Sequence, residues 1–303
     1  MLQHKWVRRS ARAHWPGWLA LAPALGLTLI LFGASVIYGL AQSVGYLSFL
    51  DSAPQFSLNA YRNLMTGQGY SDEFWPALGF SLWVSGAATV LSMGLALGVS
   101  IWLMSDRSTR RVSKSADTLI LNINLAFPHL VWAIGLLLLL SQSGLIARLA
   151  ATFGWIQTPA DFPVLVRDRY GLGIILHYVT KEVPFLALIV LAVLRSQVEA
   201  YDLVALNLGA NRWQRLRYVT LPLVLKGLLG GGTLVFAFVF GAYEVPAILG
   251  VRFPRMLATV GLDFFANPDL RSRAEGMAIS VLMAVIVVIV VMITRRMEQH
   301  AQN

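Results

Sequence analysis

The sequence predicts an all-α membrane protein with six transmembrane helices. Three observations carry this. Of the 303 residues, 57% are hydrophobic and 13% charged, where a soluble domain carries about a quarter charged. The apolar residues gather into six runs, each long enough to cross a bilayer; a hydrocarbon core of roughly 30 Å takes about 20 helical residues at a rise of 1.5 Å each. Lysine and arginine fall in short clusters between these runs and favour alternate loops, which is the charge bias of membrane proteins.

The spans fall at about 18–43, 78–104, 117–141, 172–194, 226–248 and 276–294, as one transmembrane domain. The first follows the basic stretch MLQHKWVRRSARAHW and is too long for the apolar core of a cleaved signal, so it reads as a retained span. The third carries Asn122, Asn124, Pro128 and His129, a polar face with a kink. The fourth holds Lys181, Glu182 and Pro184, and the fifth holds Gly227, Gly231 and Glu244. Outer segments LIARLAATFGW (145–155) and SLNAYRNLMT (57–66) read as short interfacial helices. With the arginines between 252 and 273 they either receive a partner or cap the bundle.

Orientation follows from counting. The amino-terminal stretch, the loops at 105–116 and 195–225 and the carboxy-terminal stretch hold fourteen Lys and Arg; the alternate loops hold eight. Positive residues stay on the cytoplasmic side, which places both termini and the 195–225 loop there. The net charge of +9 is this loop bias, so nucleic acid is not a partner. The absence of cysteine excludes disulfides and thiol chemistry. No G-x-x-x-x-G-K-[ST] phosphate loop and no hydrolase motif is present, so the chain is neither an ATPase nor an intramembrane hydrolase.

The 195–225 loop carries the most information. Apolar positions Val198, Tyr201, Leu203, Val204, Leu206 and Leu208 recur near helical spacing. Gly209 then permits a turn through positive φ. A second helical piece sets Trp213, Leu216 and Val219 apart from Arg212, Arg215 and Arg217, and Pro222 ends it or opens the next span. A basic amphipathic hairpin of this kind lies on anionic lipid or grips an acidic partner.

The stretch LGANRWQRLRYVTLPL (208–223) resembles the EAA loop of ABC importer permeases, whose coupling helix docks into the ATP-binding subunit. On that resemblance Ala205, Gly209, Ala210, Asn211, Trp213, Arg215, Leu216, Leu221 and Pro222 are the ATPase-coupling residues. The family glutamate is missing: Leu203, Val204 and Ala205 stand where Glu-Ala-Ala is usual, with Asp202 just before. FGAYEVPAILG (240–250) and KEVPF (181–185) resemble segments of spermidine/putrescine-type permeases, a group also linked with thiamine, ferric ion and phosphonates. The resemblance implies a MetI-like bundle in the bacterial inner membrane, with both termini cytoplasmic, moving a polyamine-like solute by alternating access. It implies as partners two ATP-binding subunits that hold ATP and Mg²⁺, a second permease of a different chain, a solute-binding protein and membrane lipid. The chain itself takes no cofactor.

Ionisable groups inside a span cost at least about 2.5–3.5 kcal/mol each and face protein or a water-filled path. His129, Lys181, Glu182 and Glu244 are therefore the translocation-path candidates. Lys181 and Glu182 are neighbours, about 100° apart on a helix, so each needs another partner, and Glu244 is a candidate for Lys181. A buried ion pair that fixes packing is the competing reading. His129 and His177 lack a third ligand at metal spacing. Gly227 and Gly231 permit close helix approach, within the bundle or against a second permease. The rival functions are an ion-coupled carrier or channel using Lys181, Glu182 and Glu244, and a non-transporting scaffold.

Overall fold

The computed structural model describes residues 17–46, 56–67, 72–105 and 122–300. Among these the regular structure is helical, with no strand. The long helices are α1 (Gly17–Ser43), α3 (Phe74–Ser105), α4 (His129–Leu140), α6 (Leu172–Val193), α9 (Leu221–Gly241) and α12 (Ser272–His300). Between them lie the short helices α2 (Asn59–Thr66), α5 (Leu145–Thr152), α7 (Glu199–Asn207), α8 (Arg212–Arg215), α10 (Glu244–Leu249) and α11 (Leu257–Ala266). Among the described residues six stretches are long and apolar enough to cross a membrane: Leu21–Ser43, Phe74–Leu103, His129–Thr152, Leu172–Ser196, Arg212–Gly241 and Ser272–Gln299.

Helices α3, α6 and α9 form the centre. Val84, Tyr178, Leu186, Val190, Val224 and Val239 meet there, all fully buried. Glycine at 227 and 231 makes the close approach possible. A Cβ on Gly231 would sit 2.8 Å from both Ile189 Cδ1 and Leu186 Cδ2, and one on Gly227 would sit 3.3 Å from Val193 Cγ2. The G-x-x-x-G face thus closes α9 onto α6 inside this chain. A second cluster joins α2, α11 and α12 through Leu64, Leu257, Val260 and Ile279. Helix α1 packs on α12 and leaves most of its apolar surface outside.

Two departures from the sequence reading have physical causes. The apolar run at 226–248 is not one helix: α9 stops at Gly241, and Ala242 adopts an extended backbone before α10 begins. The third span is broken rather than kinked. Residues 122–126 are helical, Phe127 and Pro128 interrupt them, and Pro128 at ψ 144° caps α4; proline supplies no amide and its ring crowds the preceding turn. The portion of that span before residue 122 lies outside the described residues, as does the 106–116 basic loop. Both outer segments are helical, over Asn59–Thr66 and Leu145–Thr152.

Candidate functional site: a broken span and a clasped hairpin

The polar site inside the bundle is built around the break at Pro128. Lys181 is 2% exposed and donates from Nζ to the backbone carbonyls of Asn124 and Phe127, both at 2.7 Å. These carbonyls end the half-helix that Pro128 terminates, and an ammonium offers them the donors that the missing turn cannot. Glu182, the next residue, reaches the other side of the break: its Oε1 lies 3.7 Å from His129 Nε2. His129 Nδ1 is 3.2 Å from His177 Nε2, one nitrogen donating and the other accepting. Trp132 Nε1 donates to Thr180 Oγ1 at 2.9 Å. One turn of α6 therefore grips both ends of a broken helix.

This brings His129, Lys181 and Glu182 together and leaves Glu244 out. Glu244 opens α10, is exposed, and forms no ion pair with Lys181. The expected pairing fails because Lys181 is satisfied by main-chain oxygens, a class of partner that side-chain spacing cannot show. Helix α10 packs on α4, so Glu244 and the half-exposed His129 lie on the same side of the bundle with Phe238, whose ring centroid is 5.0 Å from that of His129. His177 Nδ1, Asn124 Oδ1 and the Tyr178 hydroxyl are buried without a hydrogen-bond partner among the described residues. On α3, the hydroxyls of Ser85, Thr89 and Ser92 are buried likewise. The sequence reading missed this row, although its i, i+4, i+7 spacing marks a single helix face.

The second site is the loop between α6 and α9. Helix α7 ends at Asn207, and two residues on the chain turns at Gly209, where φ is +83°. Gly209 N–H donates to Leu206 O at 3.0 Å and Ala210 N–H to Ala205 O at 3.0 Å, the paired bonds of a Schellman cap that requires a left-handed residue. Asn211 then starts α8: its side chain accepts from Gln214 N at 2.9 Å, and its own N–H donates to Gln214 Oε1 at 2.8 Å, a reciprocal cap. Arg215 Nη1 donates to Asp202 Oδ2 at 2.6 Å and ties the two helices together. Leu208 is 82% exposed and Trp213 66% exposed, with Leu203 also outside. Leu216, Leu221 and Pro222 carry the chain back into α9. A cleft of about 370 Å³ opens between Tyr201, Val204 and Leu208 on one wall and Tyr218, Val219 and Leu223 on the other.

At the far end of the bundle Arg255 takes Glu73 at 2.6 Å and also bonds Asp263. This clamps the segment before α11 to the start of α3.

Comparison with known proteins places this architecture. Residues 91–300 match the family described as "Binding-protein-dependent transport system inner membrane component". The chain is 29% identical over 171 residues to the inner membrane ABC transporter permease protein YnjC of Escherichia coli K12, a match that covers 56% of this chain and 32% of YnjC. It therefore corresponds to about a third of that longer relative. It is 28% identical over 223 residues to the molybdenum transport system permease protein ModB of Mycobacterium tuberculosis, covering 71% of this chain and 76% of ModB. Its fold is that of a bacterial ABC transporter involved in the import of the acidic polysaccharide alginate, with TM-score 0.76, 17% identity and coverage of 95% and 96%. With six candidate spans, helices alone among the described residues, and a family match over two thirds of its length, the chain belongs to the inner-membrane permease components of binding-protein-dependent ABC importers.

Proposed function

We propose that this chain is the permease subunit of an ATP-driven importer and that the 199–222 hairpin is where a separate ATPase grips it. One observation carries this reading. The hairpin is locked internally by two caps and an ion pair, yet turns Leu203, Leu208 and Trp213 outward. An apolar patch rimmed by Arg212 and Arg217 is the signature of a protein interface. Ala205, Gly209 and Ala210 form the turn, Asn211 caps the second helix, Trp213 offers the contact, Arg215 clasps it, and Leu216, Leu221 and Pro222 pass motion into α9. The hairpin and both termini face the cytoplasm, where two ATPase subunits hold ATP and Mg²⁺. As a lever it works only if its contacts differ between the nucleotide states.

The solute path runs along the face that carries the Pro128 break, His129 and Glu244. An exposed carboxylate at the end of a span is costly against lipid, so this face meets a second permease, and a binding protein delivers the solute from the outer side. The polyamine expectation rested on the resemblance of residues 240–250 and 181–185 to spermidine/putrescine-type permeases. The buried charges add no argument for a cation, because Lys181 is engaged by carbonyls and Glu182 lies beside His129. The same engagement weakens an ion relay from Glu244 to Lys181, the device that a secondary carrier would need.

The test is retention of the ATPase on the purified permease. Gly209→Val forces a β-branched residue into a left-handed backbone at a cost of about 1–2 kcal/mol, in a place where an added Cβ meets no atom within 4 Å. The variant inserts normally and loses the ATPase. Full retention in the variant contradicts the docking role.

A further inference from the structure

We infer that the hairpin moves against the bundle on a double hinge made of two π-helical turns. The inference rests on the docking role proposed above and goes beyond it by locating where the motion occurs. The loop is not a separate piece joined to its spans by coil. Helix α6 continues through a π-turn at Leu194–Val198 directly into α7, and α8 continues through a π-turn at Leu216–Thr220 directly into α9. Each turn is five residues long, and the two lie against one another. Every backbone connection between hairpin and bundle thus passes through a π-turn at the same level.

The segments on either side of these turns are rigid. Beyond them, the Schellman bonds at Gly209 and Ala210, the Asn211–Gln214 cap and the Asp202–Arg215 pair fix α7 against α8. Behind them, α9 is closed on α6 by Gly227 against Val193 and by Gly231 against Leu186 and Ile189. Ser100 Oγ donates to Ala187 O at 3.3 Å and adds α3 to the same block. The π-turns lie between two locked bodies.

Their geometry suits a hinge. A π-turn carries i→i+5 bonds and one residue more than an α-turn, with poorer bond geometry, and single π-turns inside α-helices gather at functional sites. Passing the extra residue along the helix rotates one side against the other without breaking the helix. Pro222 explains the second turn: it has no amide, and its ring would crowd the carbonyl of Tyr218 four residues earlier, which the wider turn relieves. The cleft of about 370 Å³ beside the turns gives the hairpin room to swing, its walls coming from the α7 side and the π-turn side.

The chain has no cysteine, so introduced pairs are unique spin-label sites. In the purified permease–ATPase complex, one labelled pair at Asn207 and Arg212 lies within the hairpin, and a second at Ala192 and Asn207 spans the first π-turn. Dipolar distances are compared between the nucleotide-free state and a trapped ATP state. The hinge predicts an unchanged distance within the hairpin and a shift above about 2 Å across the turn, larger than ordinary helix shifts at interfaces. A change within the hairpin, or a fixed distance across the turn while ATP is bound, overturns the hinge and leaves docking intact. Absence of any ATPase from wild-type preparations overturns the docking role and the hinge with it.

Discussion

Asp202 on α7 accepts a hydrogen bond from Arg215 on α8 at 2.6 Å, with Arg215 largely buried and Asp202 about one quarter exposed. Asp202 stands one position before Leu203, where the family glutamate is absent. The carboxylate nearest to that place is thus engaged inside the hairpin. A partly buried charge pair of this kind couples by about 1 kcal/mol, and removal of one member leaves the other without its partner. In a double-mutant cycle, Asp202→Asn and Arg215→Met should each lower ATPase retention, and the double variant should lose less than the sum. Additive losses contradict the clasp.

Lys181 holds the carbonyls of Asn124 and Phe127 at the broken third span. Lys181→Met keeps the length of the side chain and removes the donors, which leaves the part-buried Phe127 carbonyl without its partner and Asn124 O with only the 3.3 Å bond from Phe127 N–H, at about 1–3 kcal/mol. The variant should unfold at a lower temperature in detergent. A cysteine at Phe127 should become more reactive towards a water-soluble maleimide. Unchanged reactivity and stability together would show that Lys181 does not hold the break.

Gly231 faces Leu186 and Ile189 with no room for a Cβ. Gly231→Ala should cost roughly 1–3 kcal/mol through overpacking of the central helices, and Gly241→Ala, with no atom within 4 Å of the added Cβ, should cost far less. Equal melting temperatures for the two variants would remove α9–α6 contact as the reason for the glycine.

Asp161 gives a pH prediction outside the membrane. The backbone amides of Thr158 and Gln157 donate to its carboxylate and hold its pKa below the ordinary 3.8. A depressed carboxylate pKa contributes order above the unfolded value and loses it as pH falls through the folded one. Amide protection at Gln157 and Thr158 should therefore be constant from neutral pH down to about 3.8 and fall only below it. Asp161→Asn should abolish the acid step; a step that persists in the variant assigns it elsewhere.

The sequence reading reached what local patterns encode. Six apolar runs mark six spans, and Gly209 marks a left-handed turn because few other residues take one. Asn211 with Gln214 three residues later was also available as a capping signal. The reading failed where the deciding partner was the backbone or another helix. Lys181 seemed to need a carboxylate, yet carbonyls freed by Pro128 outcompete Glu244. The end of α9 at Gly241 was hidden by the apolar residues that continue to Leu249, since hydropathy does not register an extended Ala242. The π-turns left no trace in hydrophobic spacing, because one added residue over five disappears into an amphipathic pattern.

The central claim is that the hairpin, and no other face of the chain, meets the ATPase. Cross-linking in intact membranes from single cysteines at Leu208, Leu234 and Phe253 tests it most directly. All three are exposed in the chain, but they sit on the hairpin tip, on mid-α9 and on the opposite end of the bundle. The account predicts a cross-link to an ATPase subunit from position 208 alone. A cross-link from 253, or none from 208 in a complex that hydrolyses ATP, would contradict it.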